Sequence, residues 1–210
     1  MTTMILSGIL VSTYLLVIAK RVPSLIRSFR CQSFFLFSMT LAAGFAERRV
    51  ELYFVAALIL ALKVFVIPHF LRLTAKRIKV DENLGLFVNP QLSLAAALAL
   101  TYCSWIFSKD LSFGNDRTWI LITISFSVVF IGAFLMISRM KAFSQVIGLL
   151  VMENGIFLLA SSISGGMPFF VEIAVFFDVF SSVIVMGLFV YRINKLFTHI
   201  DVNKLSRLRG

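Results

Sequence analysis

The sequence predicts an all-α, polytopic membrane protein of seven transmembrane helices, with its N-terminus out and its C-terminus in. Three observations carry that expectation. Hydrophobic residues make up 60% of the chain and charged residues 14%, with a mean hydropathy of +0.97, a balance foreign to ordinary soluble domains. The apolar residues collect in runs close to the ~20 residues that cross ~30 Å of hydrocarbon at ~1.5 Å per residue. The 20 Lys and Arg residues fall almost entirely between those runs. With 23 Phe, 4 Pro and 11 Gly, the chain reads as long lipid-facing helices, not as alternating barrel strands or low-complexity repeats.

Cutting the chain at charges and turn residues yields seven spans, at residues 4–19, 31–46, 52–71, 90–107, 118–137, 143–163 and 168–191. The first has no basic residue ahead of it and no small-residue cleavage site, and has Lys20 and Arg21 behind it, so it is expected to remain as a signal anchor. Between the second and third spans, Glu47, Arg48, Arg49 and Glu51 form the charged tip of a hairpin. Placing the N-terminus outside puts fifteen basic residues in the inner segments: Lys20, Arg21, Arg27, Arg30, Arg72, Lys76, Arg77, Lys79, Arg139, Lys141, Arg192, Lys195, Lys204, Arg207 and Arg209. Only Arg48, Arg49, Lys109 and Arg117 fall outside, and Lys63 lies within a span. Six spans is the rival count, but it would invert everything downstream and spoil this asymmetry. The formal net charge of +10 is thereby explained by topology and anionic headgroups, without nucleic acid.

Charges inside the spans cost at least ~2–3 kcal/mol each on insertion scales, so each one asks for a function or a partner. Lys63, Glu153 and Asp178 fall near mid-span, and Glu172 sits a turn inside the seventh span. Buried acids beside a buried amine can exchange protons according to which neighbour is charged, the basic requirement of a proton relay. The structural alternative is an ion pair that only keeps helices in register. His69, beside Pro68 near the end of the third span, reads as interfacial, with a relay role second. Gly132, Gly148, Gly155 and Gly187 are expected to let helices approach closely. Cys31 and Cys103 read as small packing residues. The chain shows no metal-ligand cluster, no activated nucleophile and no nucleotide-binding glycine loop, so neither cofactor, metal nor catalysis of its own is expected.

The stretch from Ile147 through Met152-Glu153-Asn154-Gly155 resembles the acidic second helix of the small K-type subunit of respiratory complex I. Asp178 and the tail from Asp201-Val202-Asn203 extend that likeness to the chain end. Taken with Cys31-Gln32-Ser33, Lys63 with Pro68, and Val171-Glu172-Ile173, the whole chain resembles the component E family of hydrogenase-4, found in group 4 hydrogenases and formate hydrogenlyases. One departure stands out: the K-type acid follows Gly-Leu directly, where this chain has Leu150. Its own acid comes three residues later at Glu153, on about the same face but ~4.5 Å along the axis.

The resemblance implies a four-helix N-terminal module (residues 1–116) and a K-type-like three-helix module with a basic tail (residues 117–210). It implies an accessory, non-catalytic subunit of a complex-I-like oxidoreductase in a prokaryotic inner membrane. Antiporter-like and H-type membrane subunits would be its neighbours, and a hydrogenase-type peripheral arm would be reached indirectly. Glu153 and Asp178 would be the relay acids, Glu172 a third acid, and Lys63 the basic member. A small autonomous secondary transporter for a cation or protonatable substrate is the alternative, although it should show inverted repeats with broken helices, and neither is evident.

Overall fold

The computed structural model describes residues 2–77, 89–109, 111, 116–139, 141–163 and 187. Among these the chain is helical throughout: α1 (Thr2–Ile18), α2 (Val22–Glu47), α3 (Val50–Ile59) running through a π-helical stretch (Leu60–Val66) into α4 (Ile67–Arg77), α5 (Pro90–Lys109), α6 (Asp116–Ser138) and α7 (Ala142–Ile163). These form six rods, one over each of the first six predicted spans. The proposed seventh span, with Glu172 and Asp178, lies outside the described residues except for Gly187. Among the described residues, four segments are long and apolar enough to cross a membrane: Val50–Leu73, Pro90–Lys109, Thr118–Ser138 and Phe143–Ser161. Thr2–Ile18 is apolar but shorter.

Helix α2 begins at Val22, well before residue 31, where its span was expected to start. The extension has a local cause. Pro23 occupies the first turn, where its missing N–H costs nothing. Val22, Leu25, Ile26 and Phe29 then repeat at helical spacing and are all buried. Arg27, assigned above to a connecting segment, is exposed on the opposite side of that helix; Arg30, likewise so assigned, is half-buried on its flank, its guanidinium 5.6 Å over the Phe65 ring. The α2–α3 hairpin turns where expected, on Arg48 in the left-handed region (φ 53°), with an exposed Glu47–Arg49 ion pair at its tip.

Hydrocarbon offers helices no hydrophobic incentive to associate, so close approach of backbones has to do that work. Helices α6 and α7 show it most clearly. A Cβ on Gly132 would lie 2.5 Å from the Met152 backbone nitrogen, and one on Gly155 would lie 2.7 Å from that of Val129. A Cβ on Gly148 would strike Met136 at 2.9 Å. The expected packing role of these three glycines is what the contacts require; among the described residues a Cβ on Gly187 would meet nothing within 4 Å, so no such contact is seen for it. Helix α5 follows the same logic with hydroxyls. Ser93, Ala97, Ser104 and Ser108 face inward, while Leu98, Tyr102, Ile106 and Phe107 face outward. Thr101 of α5 meets the Tyr14 hydroxyl at 2.7 Å, and Ser108 meets Thr123 of α6 at 2.5 Å. Cys31 and Cys103 are exposed, correcting their reading as packing residues: serine, glycine and alanine fill the close contacts instead.

The π-helical stretch has its cause at Pro68. A proline inside an α-helix cannot donate to the carbonyl four residues back, and its ring collides with that carbonyl. Widening the preceding turn relieves both problems, and the Ile67 N–H accordingly donates five residues back, to the Leu62 carbonyl. Lys63 lies on this widened turn.

Candidate functional site

Lys63 is wholly buried at 0% exposure, and Glu153 is buried at 5%. The Lys63 ammonium lies 3.5 Å from Glu153 Oε1 and donates to Asn154 Oδ1 at 2.8 Å. The two acceptors are consecutive on α7, and the donor comes from the π-helical stretch between α3 and α4. An ion pair at this depth stands only if further hydrogen bonds help compensate for the lost hydration. Asn154 provides one such bond, and it is itself tied to two more helices.

The Asn154 Nδ2 amide donates to Gln32 Oε1 at 3.1 Å and lies 3.5 Å from the Ser33 hydroxyl, both on α2. Gln32 Nε2 donates onward to the Thr13 hydroxyl of α1 at 2.8 Å. Thr13 donates in turn to the Ile9 carbonyl one turn back, at 2.7 Å. All of these side chains are buried. A single polar chain therefore crosses the bundle from the π-helical stretch, through α7 and α2, to α1.

Of the residues singled out in the sequence, Lys63 and Glu153 meet. Glu172 and Asp178 fall outside the described residues. His69 is exposed, with its ring edge-on to Phe70 at 6.5 Å, on the surface and apart from the buried pair. Attention to ionisable groups alone missed Thr13, Gln32, Ser33 and Asn154. The signal was present: a primary amide in hydrocarbon also demands a partner, and Gln32, Ser33 and Asn154 lie inside the two strings, Cys31-Gln32-Ser33 and Met152-Glu153-Asn154-Gly155, that carried the family resemblance.

Arg139, counted above only as a topology-setting charge, has a further role. It is 1% exposed, and its guanidinium donates to the Ala19 carbonyl at 3.0 Å, the Leu16 carbonyl at 3.2 Å and the Val17 carbonyl at 2.8 Å. It thus caps the C-terminal end of α1, where carbonyls lack intrahelical partners and a cation suits the helix dipole. Burial lowers this guanidinium well below the usual arginine range, to about 10, still far enough above neutrality to keep its proton.

Hydrogenase-4 component E of Escherichia coli (strain K12) is 28% identical over 213 residues, covering 98% of this chain and 96% of that protein. This chain is similar to hydrogenase-4 component E along almost its whole length. The component E of Shigella flexneri matches to the same extent. An uncharacterized protein of Mycobacterium tuberculosis is also 28% identical, over 96% of this chain and 93% of its own. No family model matches the chain, and no solved structure matches it. The similarity to component E covers both α2 and α7, the helices that contribute Gln32, Glu153 and Asn154.

Proposed function

We propose that this chain is a non-catalytic membrane subunit of a complex-I-like, hydrogenase-type oxidoreductase, in which Lys63 and Glu153 help couple redox chemistry to translocation of protons or sodium ions. The similarity to component E supports membership of such a complex. The observation that carries the coupling role is the buried Lys63–Glu153 pair at 3.5 Å.

The chemistry is direct. When Glu153 takes up a proton it loses the charge facing Lys63, while the ammonium keeps its neutral acceptor, Asn154. When Glu153 releases the proton, the attraction returns. A pair of this kind senses the ionisation of its neighbours through a low-dielectric interior, where such interactions are strong. In this reading Asp178 and Glu172 are further acids of the same relay and His69 an outlying member. Antiporter-like and H-type subunits of a prokaryotic inner membrane flank the chain, and the hydrogenase-type peripheral arm acts at a distance.

The test is Glu153→Gln in the assembled complex, which removes the titrating group at nearly constant shape. Coupled ion movement into vesicles is expected to fall by about tenfold or more, with assembly retained. Normal ion movement by an assembled Glu153→Gln complex would remove the coupling role.

A further inference from the structure

Two neutral side chains, on α1 and α2, are arranged to dictate what Asn154 presents to Lys63. A primary amide can present either its oxygen or its NH₂ group in one direction, and the two orientations are nearly equal in shape. Only one of them suits an ammonium. For Asn154 that choice is made at the far end of the polar chain. The Thr13 hydroxyl has a single proton, and it is given to the Ile9 carbonyl of its own helix at 2.7 Å. Its oxygen is left as an acceptor, so Gln32 must turn its NH₂ group toward Thr13, as it does at 2.8 Å. The Gln32 oxygen then faces α7 and accepts from Asn154 Nδ2 at 3.1 Å. This leaves Asn154 Oδ1 aimed at the Lys63 ammonium, 2.8 Å away. Reversing Gln32 alone would set two acceptors together at Thr13 and two donors together at Asn154; reversing Asn154 alone would set two acceptors together at Gln32 and two donors together at Lys63.

We infer that Thr13 and Gln32 are positioning residues for Lys63: they lock the Asn154 amide with its oxygen toward the ammonium, so that α1 and α2 govern the acceptor which Lys63 retains when Glu153 is neutral. The consequence for coupling rests on the function proposed above; the locking itself does not. Because amides do not readily pass protons along, this chain is a scaffold of fixed direction and not a conducting wire. It reaches Lys63 through four hydrogen bonds, starting from the main chain of α1.

The discriminating pair is Thr13→Val against Thr13→Ser. Valine keeps the shape and removes the acceptor, which releases both amides to turn; serine keeps the hydroxyl. The full chain, labelled with nitrogen-15 in its lysines and reconstituted in phosphatidylethanolamine–phosphatidylglycerol vesicles, gives a Lys63 side-chain resonance assigned by its loss in Lys63→Met. We expect that resonance to shift or broaden in Thr13→Val and to stay in its native place in Thr13→Ser. Gln32→Met, which breaks the chain at its middle link with a flexible side chain of similar size, should move it as well and serves if Thr13→Val does not fold. A resonance unmoved by the valine and methionine variants, or moved equally by serine, overturns the inference. Ion uptake by the assembled complex is then measured on the same variants, with a several-fold loss expected for Thr13→Val and recovery for Thr13→Ser. A shifted resonance with undiminished uptake supports the positioning role and overturns the coupling role of Lys63.

Discussion

Lys63 makes its shorter contact with a neutral oxygen, at 2.8 Å, and its longer one with a carboxylate, at 3.5 Å. The order matters, because a cation held by an uncharged acceptor keeps its place through changes in its counter-ion. Removing the Asn154 acceptor should therefore damage the site more than its neutral charge suggests. Asn154→Leu is expected to destabilise the chain by about 2–4 kcal/mol, since it strands buried polar groups on both sides; chemical denaturation in mild detergent measures this. Arg139 is another buried cation met by neutral oxygens, in its case three carbonyls of α1. Arg139→Met should cost about 3 kcal/mol by uncapping them. Its pH signature is also defined. The folded value of about 10 lies below the usual arginine range, so the penalty for burying this charge is present at neutral pH and is relieved only as pH climbs through about 10. Thermal stability should therefore show no step from Arg139 between about pH 6 and 8, and comparison of melting curves of native protein and Arg139→Met checks it.

The elements owe their placement to a few residues with narrow tolerances. Gly155 lets α7 lie against the Val129 backbone of α6, and Glu153 and Asn154 ride on the helix so placed. Gly155→Leu should force the helices apart at a cost of about 1–3 kcal/mol or more, seen as a lowered melting temperature and weakened Lys63 function together. Pro68 acts from the other side by widening the turn that carries Lys63. Pro68→Ala restores the missing donor and should let the stretch relax toward an ordinary α-helix. Each residue in such a helix turns ~100°, so Lys63 and the residues beyond Pro68 would change register relative to one another. Ion coupling should then fall even though no charged group has been altered.

This is also where the sequence could and could not be read. The helical rods, the charged hairpin tip and the packing glycines follow from hydropathy and side-chain size, both local properties. Lys63 and Glu153 could be singled out because an ionisable group in an apolar run is costly wherever it points. Which partner each would meet was not legible, because it depends on helix rotation, and here a π-helical turn sets that rotation. The early start of α2 was hidden by Arg27 and Arg30, which look like loop residues until their opposite face is seen to be buried.

At the scale of the whole molecule, the buried polar chain joins α1 to α7, helices far apart in sequence, and stability and function can be separated by removing its charges. Lys63→Met alone leaves a buried carboxylate with its cation gone and should cost about 3–5 kcal/mol. Combining it with Glu153→Leu removes both charges and should recover most of that loss. If the pair serves coupling, the double variant will assemble well and still fail to move ions. Native ion movement in a stable double variant would leave the pair as a fastener between helices.

The separation of Lys63 from Asn154 by 91 positions also has a consequence for biogenesis. At synthesis rates of about 5–20 residues per second, the ribosome delivers Lys63 some 5–20 s before the carboxylate and carboxamide that will receive it. Throughout that interval the nascent third span must accommodate an amine in the translocon or the lipid without its eventual acceptors. Truncated chains ending ahead of α7 should accordingly insert that span poorly, and replacing Lys63 by methionine should repair their insertion while harming the finished protein.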